Sequence, residues 1–290
     1  MSDFDLAAFS RAVADRAEAA AAHTASITLN HRHFASAFHW RDGLYVAAEE
    51  LVDPDAEIET VLPSGDSVKT EIVGRDPSTG IVLLKPAGAA AIAPLGRAAP
   101  VRAGSFALAV GRNGAAPLAA LVSVNEAGPS WRSMRGGQID RRLGLSGGLD
   151  GRFEGAAALD AEGALIGMVL FGPRRRALVI PAETIDRVAP VLAAKGRVGR
   201  GYLGAGLHPV RDNTVKGAIV MRLDDGGPAK AAGLHLGDII TAWDGDAIEG
   251  PRDIIRRLGA ESVGTTVALS LLRGGATQQA NVTVGERPAA

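Results

Sequence analysis

"GGPAKAAGLHLGDIITAWDGDAI", residues 226–248, packs several local signals into one run. Pro228 suits the first turn of a short helix, where a missing N–H is no loss, and Gly233 suits its end. The strand-like "DIITAW" follows, and behind it Asp244-Gly245 is a dipeptide that tight hairpin turns favour. Toward the C-terminus, "GPRDIIRRLGA" (250–260) predicts a second helix whose Ile254, Ile255 and Leu258 can face a sheet. "TTVALSLLRGGATQQANVTV" (265–284) then predicts a hairpin folded about Gly274-Gly275. Together these elements make a small α+β unit, 198–290.

Toward the N-terminus, "AETIDRVAPVLAAKG" (182–196) predicts a helix ending at Gly196, with Pro190 placed to kink it. Before it the period alternates. "SITLN", "SAFHW", "AEIETVLP", "SVKTEIVG", "IVLLKP", "SFALAVG" and "LAALVSV" are short β-rich runs punctuated by "RDG", "PSGD", "DPSTG" and "GRNG". Such a succession predicts a barrel or sandwich over 25–197. "GRNG" (111–114) reads as a tight turn and not a phosphate loop, because no lysine-serine and helix start follow it. Within 1–24 an amphipathic helix is expected, capped by Ser2 or Asp3 and running to about Ala22, with Phe4, Leu6, Phe9, Val13 and Ala17 as its apolar stripe.

The 290 residues fit two domains, and a formal charge of −1 gives the molecule no reason to seek nucleic acid or an acidic membrane. Arginines at 132, 135, 141, 142, 152 and 174–176 lack interleaved stacking aromatics, so no nucleic-acid partner is expected. The chain has no cysteine, which excludes disulfides, thiolate metal sites and a thiol nucleophile. No run is apolar enough for a membrane span. "MSDFDLAAFSRAVADRAEAAAAH" carries acids where a signal peptide needs base, and a cytoplasmic location is the expectation. No cofactor is expected.

"RGYLGAGL" (200–207) and "GPAKAAGLHLGDII" (227–240) resemble the PDZ domain of the HtrA/DegP-like trypsin-fold proteases, and the resemblance extends through "VGRDPSTGIVLLK" (73–85) to the leading helix. It implies a mainly β chain: a trypsin-like double β-barrel with an N-terminal helix, followed by a C-terminal PDZ domain. In such barrels a histidine takes the proton of a serine hydroxyl, an aspartate fixes the imidazole tautomer, and backbone N–H groups hold the oxyanion. The family's histidine position falls in "YVAAEELV" (45–52) on Glu50, and its aspartate position in "DPSTGIVLL" (76–84) on Gly80.

For the serine two registers are open. "GLSGG" (144–148) makes Ser146 the nucleophile but leaves fourteen residues before the "DAEG" turn at 160–163. Without a gap, "GRFEGAAALDAEG" (151–163) puts Glu154 at the nucleophile position, with Arg152 and Ala156 where the oxyanion loop has glycines. The ungapped register is preferred, since an insertion there must house its own backbone hydrogen bonds. Either register removes ordinary serine catalysis, because a carboxylate with a pKa of about 4 is a poor acceptor for a hydroxyl proton.

The expectation is a protein without the triad that works by binding, as a scaffold, adaptor or chaperone-like subunit. The alternative is an enzyme, using Ser146 with an atypical base or a metal held by Glu50 and Glu154, whose carboxylates would face each other. Nothing nearby in sequence supplies further ligands, so no metal is expected. His31, His33 and His39 would share a face of an unbroken strand, but "FASAF" (34–38) predicts a bend and none falls at the catalytic position. In the PDZ part the resemblance implies that Tyr202, Leu203, Gly204 and Ala205 offer N–H groups to a C-terminal carboxylate. Residues 206–208 would pair with an extended peptide, and Leu203, Leu207, Ile254 and Leu258 would line the pocket for its last side chain. The plainer alternative is a domain kept for architecture, its groove covered by its own chain. Implied partners are protein or peptide C-termini, and a homo-oligomer or a hetero-oligomer with an active HtrA-like paralogue, from the family's habit of trimerising.

Overall fold

A computed structural model describes residues 5–29, 32–53, 57–211 and 215–288. It divides into two units, Met1–Trp131 with Gln138–Val198, and Arg132–Gly137 with Gly199–Ala290.

The first unit opens with α1 (Leu6–Ala21). Strands β1 (Thr24–Leu29), β2 (Arg32–Arg41), β3 (Leu44–Ala48), β4 (Ile58–Val61), β5 (Ser67–Asp76) and β6 (Ile81–Pro86) close a barrel in the order β1-β2-β3-β6-β5-β4. After β7 (Phe106–Asn113) and β8 (Ala116–Gly128), a short ladder of β9 (Trp131–Arg132) and β10 (Gln138–Ile139) intervenes. Then come β11 (Arg142–Ser146), β12 (Ala157–Leu159), β13 (Leu165–Phe171) and β14 (Ala177–Pro181), and the second barrel closes as β11-β14-β13-β12-β7-β8. Helix α2 (Ala182–Lys195) runs through Pro190 and stops at Gly196, which is left-handed at φ 72.

Strands at the seam between the barrels are apolar on both faces, and period-two alternation sorts their side chains. Phe38, Val46, Ile81, Leu83, Leu108, Val110 and Met168 pack with α2 in a shared cluster. Their neighbours Ala37, Ala47, Val82 and Leu84 fill the first barrel, while Ala107, Ala109 and Val169 fill the second. Ser36 ties this seam together. Its N–H donates to the Glu154 carbonyl (2.8 Å), and its hydroxyl accepts from Arg112 N–H (3.0 Å) and donates to the Arg152 carbonyl (3.1 Å). At Gly155, φ is +80 and an added Cβ would lie 2.0 Å from the Ser36 carbonyl oxygen.

Helix α1 departs from its expected start. Asp5 is the cap, accepting from the N–H groups of Ala7 (2.9 Å) and Ala8 (3.0 Å), whereas Ser2, Asp3 and Phe4 lie outside the described residues. Leu6 is 69% exposed and leaves the stripe, because only the later turns meet the barrels: Val13 and Ala17 pack on the core, and Ala20 and Ala21 are buried. The buried Arg112 guanidinium holds the helix end, donating to the carbonyls of Ala21 (2.8 Å), Thr24 (3.1 Å) and Ala115 (2.6 Å). Carbonyls of a last helical turn have no partner within the helix, and here a cation supplies one.

In the second unit, β15 (Gly201–Tyr202) pairs with β22 (Gly285–Glu286). The main sheet runs β16 (Ala205–Arg211), β17 (Lys216–Leu223), β18 (Ile239–Trp243), β20 (Thr266–Arg273), β21 (Ala276–Thr283), with β19 (Asp246–Ala247) beside β18. Two short helices, α3 (Pro228–Ala231) and α4 (Pro251–Arg257), complete it. The "GLHLGDII" run now has a physical reason. Asp238 is 1% exposed and accepts from Arg273 Nε and Nη2 (2.7 Å each) and from His235 N–H (2.7 Å), which pins the loop to the end of β20. Asp244 and Gly245 are both left-handed, at φ 49 and 87, as a two-residue hairpin turn requires. One expectation fails: Ile255 is 44% exposed, because on a helix this short only Ile254 points inward and the next residue turns about 100° away.

Gly155→Ala places a methyl group on the Ser36 carbonyl and forces a left-handed conformation on a non-glycine residue. It is expected to destabilise the barrel unit by about 2–4 kcal/mol, read as a lower denaturant midpoint in tryptophan fluorescence.

Candidate functional site

The residues that the resemblance assigns to the triad positions are carried by three turns of the barrel unit. Directly after β3, the 3₁₀ turn Glu49–Leu51 carries Glu50, which is exposed. Glu49 is buried and paired with Arg75, and its N–H donates to the Gly80 carbonyl (3.0 Å), bringing the two turns together. In the second turn Asp76 accepts from Ser78 N–H (3.0 Å), Ser78 Oγ (2.6 Å) and Thr79 Oγ1 (2.7 Å). Gly80 closes that turn at φ +72, with Leu170 Cδ1 3.0 Å from where a Cβ would stand. An aspartate at 80 would have to take a left-handed backbone and push aside the end of the Leu170 side chain.

The third turn carries Glu154. Asp150 caps the 3₁₀ turn Gly151–Phe153: its carboxylate accepts from Arg152 N–H (2.9 Å) and from the Arg152 guanidinium, which hold its pKa down at about 2. Glu154 N–H donates to the Gly151 carbonyl (3.2 Å). In the trypsin fold the oxyanion is held by the amides of the nucleophile residue and of the residue two before it; the ungapped register would put these at Glu154 and Arg152. Both amides are engaged within their own turn. No reading of the sequence singled out Asp150, although an Asp two residues before an amide is a familiar capping pattern.

Glu154 is half-buried, and burial raises its pKa; the nearby Glu50 charge adds to the rise, while a hydrogen bond from Phe171 N–H and the positive Arg175 oppose it. The structure thus brings Glu50 and Glu154 within electrostatic reach of each other. Among the described residues no group of three or more His, Asp or Glu side chains is arranged to hold a metal ion. Ser146 ends β11, exposed, its Oγ 2.8 Å from Ser123 Oγ on β8. It rims an open cavity of about 630 Å³ shared with Phe171, Arg175 and Arg176. His39 is buried in the first barrel, its Nε2 accepting from Gly43 N–H (3.3 Å) and its pKa lowered by burial and then by His23. His31 lies outside the described residues, and His33 belongs to β2.

In the second unit the loop 202–205 precedes the edge strand β16. The Leu203 carbonyl accepts from Ala229 N–H (2.7 Å) and the Gly204 carbonyl from Asp224 N–H (2.8 Å). In a trans peptide the N–H points opposite to the C=O, so Gly204 and Ala205 N–H groups face away from those donors. Tyr202 donates its hydroxyl to Asp224. The expected pocket lining needs correction. Leu203 (3% exposed) and Ile254 (0%) are closed inside the domain core, with Leu207 and Leu258 packed partly against it. The open groove, about 780 Å³, lies further along, between Leu207, His208 and Pro209 of β16 and Gly250, Asp253 and Arg256 around α4.

Residues 35–168 match the trypsin-like peptidase domain and 201–284 the PDZ domain. The chain is similar to the probable periplasmic serine endoprotease DegP-like of Brucella suis biovar 1 (strain 1330), 29% identical over 267 residues, 85% of this chain and 51% of the relative. The protein so named in Rhizobium meliloti (strain 1021) is 26% identical over 270 residues, 87% of this chain and 53% of the relative. The chain spans about half the length of the curated relatives it matches. Among solved structures, the HtrA-type protease AlgW with decapeptide matches with a TM-score of 0.72 and 21% identity, over 96% of this chain and 99% of that one. The serine endoprotease from Yersinia pestis matches with a TM-score of 0.71 and 22% identity, over 94% and 98%. The relatives' names overturn the cytoplasmic expectation and point to the periplasm. Acids near the first residue carry no information about location. Among the described residues no helix is long and apolar enough to cross a membrane.

Folded Glu154 keeps its proton to higher pH than the unfolded chain does, so its ionisation costs stability above the ordinary carboxylate range and nothing below it. Glu154→Gln removes that charge and keeps an acceptor for Phe171 N–H. The variant is expected to melt above the parent at neutral pH, the gap closing near about pH 3.5, as followed by thermal midpoints.

Proposed function

Because the chain belongs to the HtrA/DegP-like family, a trypsin-like peptidase domain followed by a PDZ domain, we propose that it is a catalytically inactive member that binds peptide and protein C-termini, as a scaffold, adaptor or chaperone-like subunit. The observation that carries this reading is the state of the two oxyanion amides. Arg152 N–H is held by Asp150 and Glu154 N–H by Gly151. Loss of one such donor costs about 10²–10³ in kcat. The residual catalysis of about 10³–10⁴ that survives triad removal depends on this hole and on binding. Here the side chains and the hole are affected together: Glu50 supplies no imidazole at the base position, Gly80 no carboxylate at the orienting position, and Ser146 bonds to another hydroxyl.

Binding is supported from the second unit. β16 is an edge strand beside an open groove, and the loop before it turns two N–H groups away from the domain's own acceptor-bonded side. That is the apparatus for adding a peptide strand and capturing its terminal carboxylate. Mixed assembly with an active paralogue is the further part of this reading, and the subunit composition of protein purified from its native source tests it.

A fluorophosphonate probe is expected to leave the protein unlabelled, and Glu154→Ala is expected to bind C-terminal peptides as the parent does. Stoichiometric modification of Ser146, found by mass spectrometry, would overturn the inactive assignment.

A further inference from the structure

The arginines of "GPRRR" (172–176) take no part in the peptide-binding reading, and they stand on a turn with an uncommon backbone. Gly172 N–H donates to the Arg176 carbonyl (2.9 Å) and closes the turn. Within it Arg174 and Arg175 are both left-handed, at φ 60 and 54, a conformation that costs residues with a Cβ and that recurs at ligand clamps. The turn lays the Arg175 guanidinium beside the 150–154 turn, with Nη2 3.5 Å from where a Cβ on Gly151 would stand. Arg175 and Arg176 both line the cavity of about 630 Å³ that Ser146 rims, and Arg174 does not. None of positions 50, 80 and 154 lines it, so the cavity stands apart from the candidate triad positions.

Neighbouring acids leave these charges untaken. Asp150 is chelated by Arg152, and Glu126, on the cavity wall, is paired with Arg142 at 2.5 Å. Among the described residues, neither Arg175 nor Arg176 has an ion pair or a side-chain hydrogen bond. The other polar side chains of the wall can donate. Ser146 and Ser123 share one bond between two hydroxyls, which leaves one hydroxyl hydrogen free, and Asn125 carries an amide N–H pair. Two adjacent guanidinium forks suit a doubly charged partner with several oxygens better than a single carboxylate. Leu149 and Phe171 add an apolar wall against which a small organic body can rest. We propose that this cavity binds a phosphate dianion, free or as the monoester of a small apolar alcohol or phenol, held by Arg175, Arg176 and the Ser146 hydroxyl. The site lies in the first unit and is independent of the peptide-binding reading.

The test uses the full chain with phenyl phosphate, inorganic phosphate and benzoate at low ionic strength, followed by isothermal titration and by the phosphorus NMR shift. Both phosphates are expected to bind more tightly than benzoate, which carries a single charge. Phenyl phosphate is expected to bind less well as pH falls through about 6, where a phosphate monoester takes up its second proton. Arg175→Gln and Arg176→Gln are each expected to weaken it about five- to tenfold, the worth of a charge-assisted bond at a partly exposed site. Arg174→Gln, on the same turn but outside the cavity, is expected to bind within about twofold of the parent. An advantage of phenyl phosphate over inorganic phosphate identifies the ester as the ligand, and equal affinity identifies the free ion; either supports the site. An affinity that Arg174→Gln lowers as far as Arg176→Gln does reports general attraction to a basic surface and overturns it. So does the absence of both heat and shift at millimolar phosphate, or benzoate binding as tightly as the phosphates.

Discussion

Two backbones pass at Ser36 and Gly155 with no room for a side chain between them, and the barrel unit is organised around that contact. Only a residue without Cβ tolerates both the left-handed φ and the proximity of the Ser36 carbonyl. Because the chain closes there, the Ser36 hydroxyl spans β7 and the turn before Glu154, locking a strand of each barrel to the same atom. The seam strands can then be buried on both faces, and their alternating side chains serve two cores at once. The position of Glu154 is a consequence of this packing. It lies at the junction, within reach of Glu50 from the other barrel.

Charges elsewhere in the molecule show how unusual Glu154 is. Buried or half-buried carboxylates are otherwise held by direct donors: Glu49 by Arg75, Asp238 by Arg273, Asp186 by Arg97 and Trp40, and Asp76 by the hydroxyls of its own turn. Each such donor favours the ionised form. Glu154 has one backbone N–H, a positive charge on Arg175 and a like charge facing it, and burial dominates. A carboxyl group placed this way offers neither an alcohol hydroxyl nor a thiol as a nucleophile.

Much of the architecture was legible from local chemistry. Alternation in "IVLL" and "SFALAV" places strands, and the turn glycines and the buried Asp238 account for the second unit. What escaped depends on direction and depth. Ile255 and Ile254 are adjacent letters of equal hydrophobicity, and only the crossing of α4 over the sheet decides which is buried. Leu203 reads as a pocket wall until the core closes over it. The cap of α1 falls on Asp5 and not on Ser2 or Asp3, because three residues of capping type stand within four positions and sequence alone cannot rank them. The role of Asp150 is visible only when its oxygen is found on Arg152 N–H. Location is indicated by the names of the relatives and not by the acids of the first stretch.

The capped turn 150–154 is held by its own residues and does not depend on the side chains around it at 50 and 80. A serine at 154, a histidine at 50 and an aspartate at 80 would stand around a backbone whose two amides are already engaged. Asp150 would keep its grip on one amide, and the tight curl at Gly151 on the other. Position 80 would also ask a non-glycine residue to take a left-handed backbone and to displace the end of Leu170. Exchange of side chains alone would therefore leave both amides engaged, and the main chain of the turn would have to uncoil to free them.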